Sequence, residues 1–122
     1  MSQKMKILIV DDEPFNVDTI EQRLEDDYQI MTAADGQEAL DKLKSDQPDL
    51  ILLDLMMPVL DGFAVLSAVK ADPGLRDIPV IIISADHDST SIVRGIKQGA
   101  DDYLTKPVNP DLLVKKVKGF LG

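Results

Sequence analysis

Ile7-Leu8-Ile9-Val10-Asp11-Asp12-Glu13-Pro14 joins four consecutive aliphatic residues to three acids and a proline. An unbroken aliphatic run of this length suits a strand covered on both faces, as in a parallel sheet flanked by helices. Pro14 suits the first position of a helix, where a missing N–H leaves nothing unsatisfied. The stretch therefore reads as a strand feeding a helix. The same alternation repeats along the chain. Apolar runs recur at residues 28–33, at Leu50-Ile51-Leu52-Leu53, at Val80-Ile81-Ile82-Ile83 and at Tyr103-Leu104. Between and after them, near-helical spacing links Phe15, Ile20 and Leu24, then Ala39, Leu40 and Leu43, then Phe63, Leu66 and Val69. It links Ile92, Val93 and Ile96 next, and finally Leu113, Val117, Phe120 and Leu121. Helix starts are marked by Asp35 with Glu38 three residues on, by Asp61, by Ser89 and by Asn109-Pro110-Asp111. The prediction is an α/β fold of five strands and five helices, (βα)5, whose right-handed crossovers wind a parallel sheet with helices on both faces. The common template for such units, strand order 2-1-3-4-5, is adopted, with the more alternating run at residues 28–33 at an edge.

Composition narrows the function. The chain has 122 residues, 13 Lys plus Arg, 22 Asp plus Glu, a formal net charge of −9 and no Cys. Residues 1–61 hold 15 acids and 5 bases, residues 62–122 hold 7 acids and 8 bases, so the acidity belongs to one half. Direct nucleic-acid binding is not expected, because it needs clustered Lys and Arg to replace phosphate counterions. The lack of Cys excludes disulfide stapling, Cys-ligated zinc and a thiol nucleophile. No run approaches the ~20 apolar residues of a membrane span, and the N-terminus has no secretory leader. A soluble, cytoplasmic domain spanning residues 1–122 is expected, with no membrane contact and no separate output domain.

In open parallel sheets, ligands bind beyond the carboxyl ends of the strands. Those ends carry Asp11, Asp12 and Glu13 after the first strand, Asp54 after the third, Ser84 at the end of the fourth and Lys106-Pro107 after the fifth. Carboxylates crowded together repel unless a cation offsets them. Oxygen donors without His or Cys favour Mg²⁺, which takes one or two carboxylates along with waters and phosphate oxygens. A lysine can neutralise a phosphoryl oxygen, a serine can hydrogen-bond another, and a carboxylate can be the nucleophile. This chemistry points to phosphoryl transfer onto a carboxylate.

Val10-Asp11-Asp12-Glu13, Asp54-Leu55-Met56-Met57-Pro58-Val59-Leu60-Asp61-Gly62, Ser84-Ala85, Gly99-Ala100-Asp101-Asp102-Tyr103 and Lys106-Pro107 occur in an order and spacing that resembles the receiver domains of two-component response regulators. The resemblance covers essentially the whole chain and implies a flavodoxin-like fold. It implies that Asp54 is the phosphoacceptor, and that Asp11, Asp12, Asp54 and the backbone carbonyl of Met56 hold Mg²⁺. Lys106 would contact the carboxylate and the phosphoryl group, aimed by a cis peptide before Pro107. Ser84 would bond the phosphoryl group, and Tyr103 would turn into the space it leaves, changing the surface of helix 4, strand 5 and helix 5. The implied partners are a sensor histidine kinase or histidine phosphotransfer protein and a downstream protein target, with a homodimer through the same surface as a further option. The module would be a switch rather than an enzyme, catalysing its own phosphorylation and slow dephosphorylation, with no organic cofactor.

Several residues carry plainer readings. Gly62 and Gly99 suit backbone punctuation, and Met56-Met57 suits loop and core filling. Met56 and Asp86 sit where the family controls access of water to the acyl phosphate, and His87 reads as a solvated loop residue. Arg94, Lys97, Lys115, Lys116 and Lys118 read as the solvated faces of two helices. Two rivals fit less well. A Mg²⁺-dependent phosphohydrolase would carry a second acid where Met56 stands, and a flavin-binding module would not follow its first strand with Asp-Asp-Glu.

Overall fold

The computed structural model describes residues 4–57, 60–85 and 89–122. Five strands alternate with five helices: β1 (Lys6–Val10), α1 (Pro14–Leu24), β2 (Gln29–Ala33), α2 (Gly36–Ser45), β3 (Leu50–Asp54), α3 (Gly62–Ala71), β4 (Val80–Ala85), α4 (Ser89–Lys97), β5 (Asp102–Lys106) and α5 (Pro110–Leu121). The strands form one parallel sheet in the order β2-β1-β3-β4-β5. The expected topology is observed, with the alternating run at the edge as β2.

Successive strand residues point to opposite faces, and each face gathers its own core. Ile7, Ile9, Leu50, Leu52, Ile81 and Ile83 pack with Ile20 and Leu24 of α1 and with Leu113 and Val117 of α5. Leu8, Val10, Ile51, Leu53 and Ile82 pack with Ala39 and Leu43 of α2 and with Phe63, Leu66 and Val69 of α3. A fully buried aliphatic side chain of this kind contributes about 1.5–3 kcal/mol, so two such faces readily offset the cost of crowded acids at one rim. No described helix is long and apolar enough to cross a membrane.

The register sets the rim. Val10 pairs with Leu53, Asp54 with Ile83, and Ala85 with Lys106, so the carboxyl ends of β1, β3, β4 and β5 lie side by side. Three strand ends run slightly further than the apolar runs suggest: Asp54 and Lys106 are the last residues of β3 and β5, and β4 continues one residue beyond Ser84.

Three predicted helix caps form. Asp35 accepts from the Glu38 amide at 2.8 Å while Glu38 reaches back to the Ala34 amide at 3.1 Å, and Asp61 accepts from the Ala64 amide at 3.0 Å. Asn109 accepts from the amides of Asp111 and Leu112 at 2.9 and 3.1 Å. Asn109→Ala strands both amides and is expected to cost about 1 kcal/mol, read as a lower urea midpoint at an unchanged slope. Ser89 is itself the first residue of α4 instead of standing ahead of it.

Periodicity overstated the core in two helices. Phe15 is 79% exposed, and Val17 packs against the α1 side of the core instead. In α4 the only buried residue is Gly95, which lies against Ile82, while Val93 and Ile96 are 52% and 40% exposed. A helical repeat reports that a helix has an apolar face; it does not report what covers that face. Gly99, at φ +113°, ends α4 in the left-handed region that glycine enters without strain, as its reading as punctuation requires.

Candidate functional site

Asp11 stands one residue beyond β1, Asp54 closes β3, Ser84 is next to last in β4, and Lys106 closes β5. The strands bring them together. Lys106 Nζ donates to Asp54 Oδ2 at 3.1 Å and to Glu13 Oε1 at 3.0 Å, and lies 3.7 Å from Asp11 Oδ2. Asp54 Oδ1 accepts from the Met56 amide at 3.1 Å, and Asp11 Oδ1 from the Glu13 amide at 2.9 Å. Asp11 and Asp54 are each only 2% exposed, whereas Asp12 and Glu13 face solvent. The Lys106–Pro107 peptide is cis.

Burial costs these groups differently. Burial pushes the Asp11 carboxyl up, the charge of Asp54 adds to the rise, and the Glu13 amide and Lys106 pull it part of the way back, leaving it at about 6. Burial pulls the Lys106 ammonium down, but its hydrogen bonds to Glu13 and Asp54 outweigh that and leave it above its ordinary value. Asp11 Oδ2 and Ser84 Oγ are buried without a hydrogen-bond partner among the described residues. Buried polar atoms in that condition are uncommon and point to a group that a protein-only structure lacks.

That group is consistent with a divalent cation. One carboxylate oxygen from each of Asp11, Asp12, Glu13 and Asp54 lies within 4.8 Å of the others, all are hard oxygen donors, and the orphaned Asp11 Oδ2 is among the carboxylate oxygens at the rim. The residues present fit Mg²⁺.

Two neighbours shape the rim from below. Gly62, the first residue of α3, donates its amide to the Leu55 carbonyl at 3.1 Å and packs on the backbone of Asp54 and Leu55. Its reading as punctuation falls short: an added Cβ would strike the Asp54 carbonyl oxygen and come within 2.6 Å of Leu55 Cα. Met56 is 63% exposed beside Asp54, so it fills no core; Met57 is the methionine that packs inward.

Tyr103 is 43% exposed and not a buried strand-end aromatic. Beside it, Lys116 Nζ pairs with Asp102 Oδ2 at 2.8 Å and lies 5.8 Å from the Tyr103 ring centroid. Arg94 stacks over the Phe63 ring at 3.9 Å. Two of the five bases read as solvated thus have partners within the fold. Asp86 and His87 lie outside the described residues, as do Pro58 and Val59.

The contact of Glu13 with Lys106 is absent from the sequence reading. Its signal was Pro14: a proline at the first helical position makes Glu13 the residue before the helix and holds its side chain at the strand end.

Comparison with known proteins agrees with this geometry. Residues 7–118 match the family described as Response regulator receiver domain. Response regulator PleD of Caulobacter vibrioides is 43% identical over 116 residues, which are 94% of this chain and 26% of that protein. The alkaline phosphatase synthesis transcriptional regulatory protein PhoP of Bacillus subtilis is 40% identical over 117 residues, 95% of this chain and 48% of that protein. This chain thus spans between a quarter and a half of the length of those relatives. Among solved structures, the Vibrio cholerae chemotaxis protein CheY4 superposes with a TM-score of 0.89 at 32% identity, covering 97% of this chain and 99% of that one. A match across nearly the whole sheet, at these identities and with this fold, settles the family: the chain belongs to the response regulator receiver domains of two-component signalling.

Proposed function

We propose that this receiver domain accepts a phosphoryl group on Asp54 from the phosphohistidine of a sensor histidine kinase or histidine phosphotransfer protein. An Asp54 carboxylate oxygen forms the new O–P bond as the N–P bond of the donor breaks, the electron pair remaining on the imidazole nitrogen, which takes up a proton. Lys106 is assigned to neutralise charge on the phosphoryl oxygens in the transition state, from a position already fixed by its bond to Asp54. Asp11, Asp12, Asp54 and the Met56 carbonyl would hold Mg²⁺, which when bound supplies positive charge against the carboxylates and phosphoryl oxygens. The Ser84 hydroxyl, buried without a partner among the described residues, is suited to donate to a phosphoryl oxygen.

The output of this reading is a changed surface. Tyr103 stands exposed next to the apolar Ile92, Val93 and Ile96 of α4, and that face, with β5 and α5, is where a downstream protein target or a second copy would read the phosphorylated state. The reading treats the module as a switch with self-catalysed phosphotransfer and slow loss of phosphate.

The observation that carries it is the buried Asp54 carboxylate held 3.1 Å from Lys106 beside a second buried acid with an orphaned oxygen. Incubation with acetyl phosphate and Mg²⁺ followed by intact-mass analysis tests it. A single phosphate adduct is expected on the wild type and none on Asp54→Ala; an adduct on both, or on neither, overturns the assignment.

A further inference from the structure

Glu13 occupies the N-cap position of α1 yet makes no capping bond with its side chain. The carboxylate instead accepts from Lys106 Nζ at 3.0 Å, a contact as short as the one from Lys106 to Asp54. We infer that Glu13 is a positioning residue that holds Lys106 away from the incoming phosphoryl group and so slows phosphate acceptance. The inference rests on the assignment of Asp54 as phosphoacceptor.

Two effects act in the same direction. An ammonium has three N–H donors, and here Glu13 and Asp54 each take one, leaving Lys106 largely committed before a phosphoryl group arrives. A phosphoryl group also brings close to two negative charges and three acceptor oxygens. Because a Glu13 oxygen lies within 4.8 Å of an Asp54 oxygen, that charge would develop beside a carboxylate. Glu13 thus ties up the neutralising cation and repels the charge the cation must neutralise. It is also dispensable to the fold, since its side chain is 59% exposed and exposed ion pairs add little to stability. Asp11, the other acid near Lys106, is buried and belongs to the proposed metal set, so Glu13 is the acid whose removal separates the two roles.

The test compares wild type and Glu13→Gln for the rate at which acetyl phosphate modifies Asp54 at saturating Mg²⁺, in low and in high salt. Glu13→Gln is expected to accept phosphate about three- to tenfold faster at low salt, with the difference shrinking in high salt because an exposed charge is screened. A purely structural role for Glu13 would not produce that salt dependence. In the metal-free protein, the ¹⁵N-labelled Lys106 ammonium is expected to exchange its protons with water faster in Glu13→Gln than in wild type. An equal or slower rate in Glu13→Gln, with wild type still phosphorylated on Asp54, overturns the inference and leaves the phosphoacceptor standing. A wild type that takes no phosphate overturns both.

Discussion

Gly62→Ala is expected to lose roughly 3 kcal/mol of stability, at or beyond the upper end of what overpacking usually costs. The added methyl group would meet backbone: the Asp54 carbonyl oxygen, and Leu55 Cα at 2.6 Å. A side chain in its path could rotate away, but here β3 or α3 must move. Either movement strains the Gly62 to Leu55 hydrogen bond and shifts the residue that carries the acceptor carboxylate. The variant should therefore show a lower urea midpoint together with slower phosphate uptake by its folded fraction. Gly119→Ala is the control. That position in α5 has nothing within 4 Å of an added Cβ, so the gain in helix propensity is expected to stabilise the fold by roughly 0.5–1 kcal/mol.

In the absence of divalent cations, Asp11→Asn is expected to be more stable than the wild type at neutral pH, by on the order of 2–3 kcal/mol. The reason is the direction of the Asp11 shift, from 3.8 to about 6, caused first by burial and then by the charge of Asp54. Below pH 4 the carboxyl is protonated in both the folded and unfolded chains and contributes nothing. As pH rises from about 4 through 6, the unfolded chain gives up its proton first, so this group destabilises the fold increasingly and reaches its full cost above 6. Asparagine keeps the acceptor for the Glu13 amide and replaces the orphaned oxygen with a donor facing Asp54. Urea unfolding with a chelator across pH 4–8 checks this: the gap between variant and wild type should open with rising pH. Added Mg²⁺ should close the gap, because a cation that binds the native state raises its stability only where the acids that hold it remain.

The residues that located the sheet were those whose meaning is local. Ile7-Leu8-Ile9-Val10 and its counterparts in β3 and β4 could be buried on both faces only in a parallel sheet, and Asp35, Asp61 and Asn109 cap helices through amides two or three residues away. The readings that fell short depended on distant chain. Phe15 and the apolar side of α4 had the right spacing for a core, but only the assembled fold decides whether another layer covers them. Gly62 looked like a turn residue because its reason, the backbone of Asp54 and Leu55, lies across the loop from it. Asp11, Asp54, Ser84 and Lys106 were legible together because a parallel sheet sends every strand end to one rim. Their individual burdens were not: which carboxylate is buried without a partner depends on side-chain packing that no spacing encodes.

Lys106 sits 93 residues from Glu13 and 52 from Asp54 along the chain, yet hydrogen-bonds both. The fifth strand must therefore be made and docked before the rim has its cation. A chain still emerging from the ribosome, or one cut short before β5, would carry Asp54 without the lysine that makes it a competent acceptor. Competence to receive a signal is thus acquired at the last step of assembly, and incomplete copies remain silent.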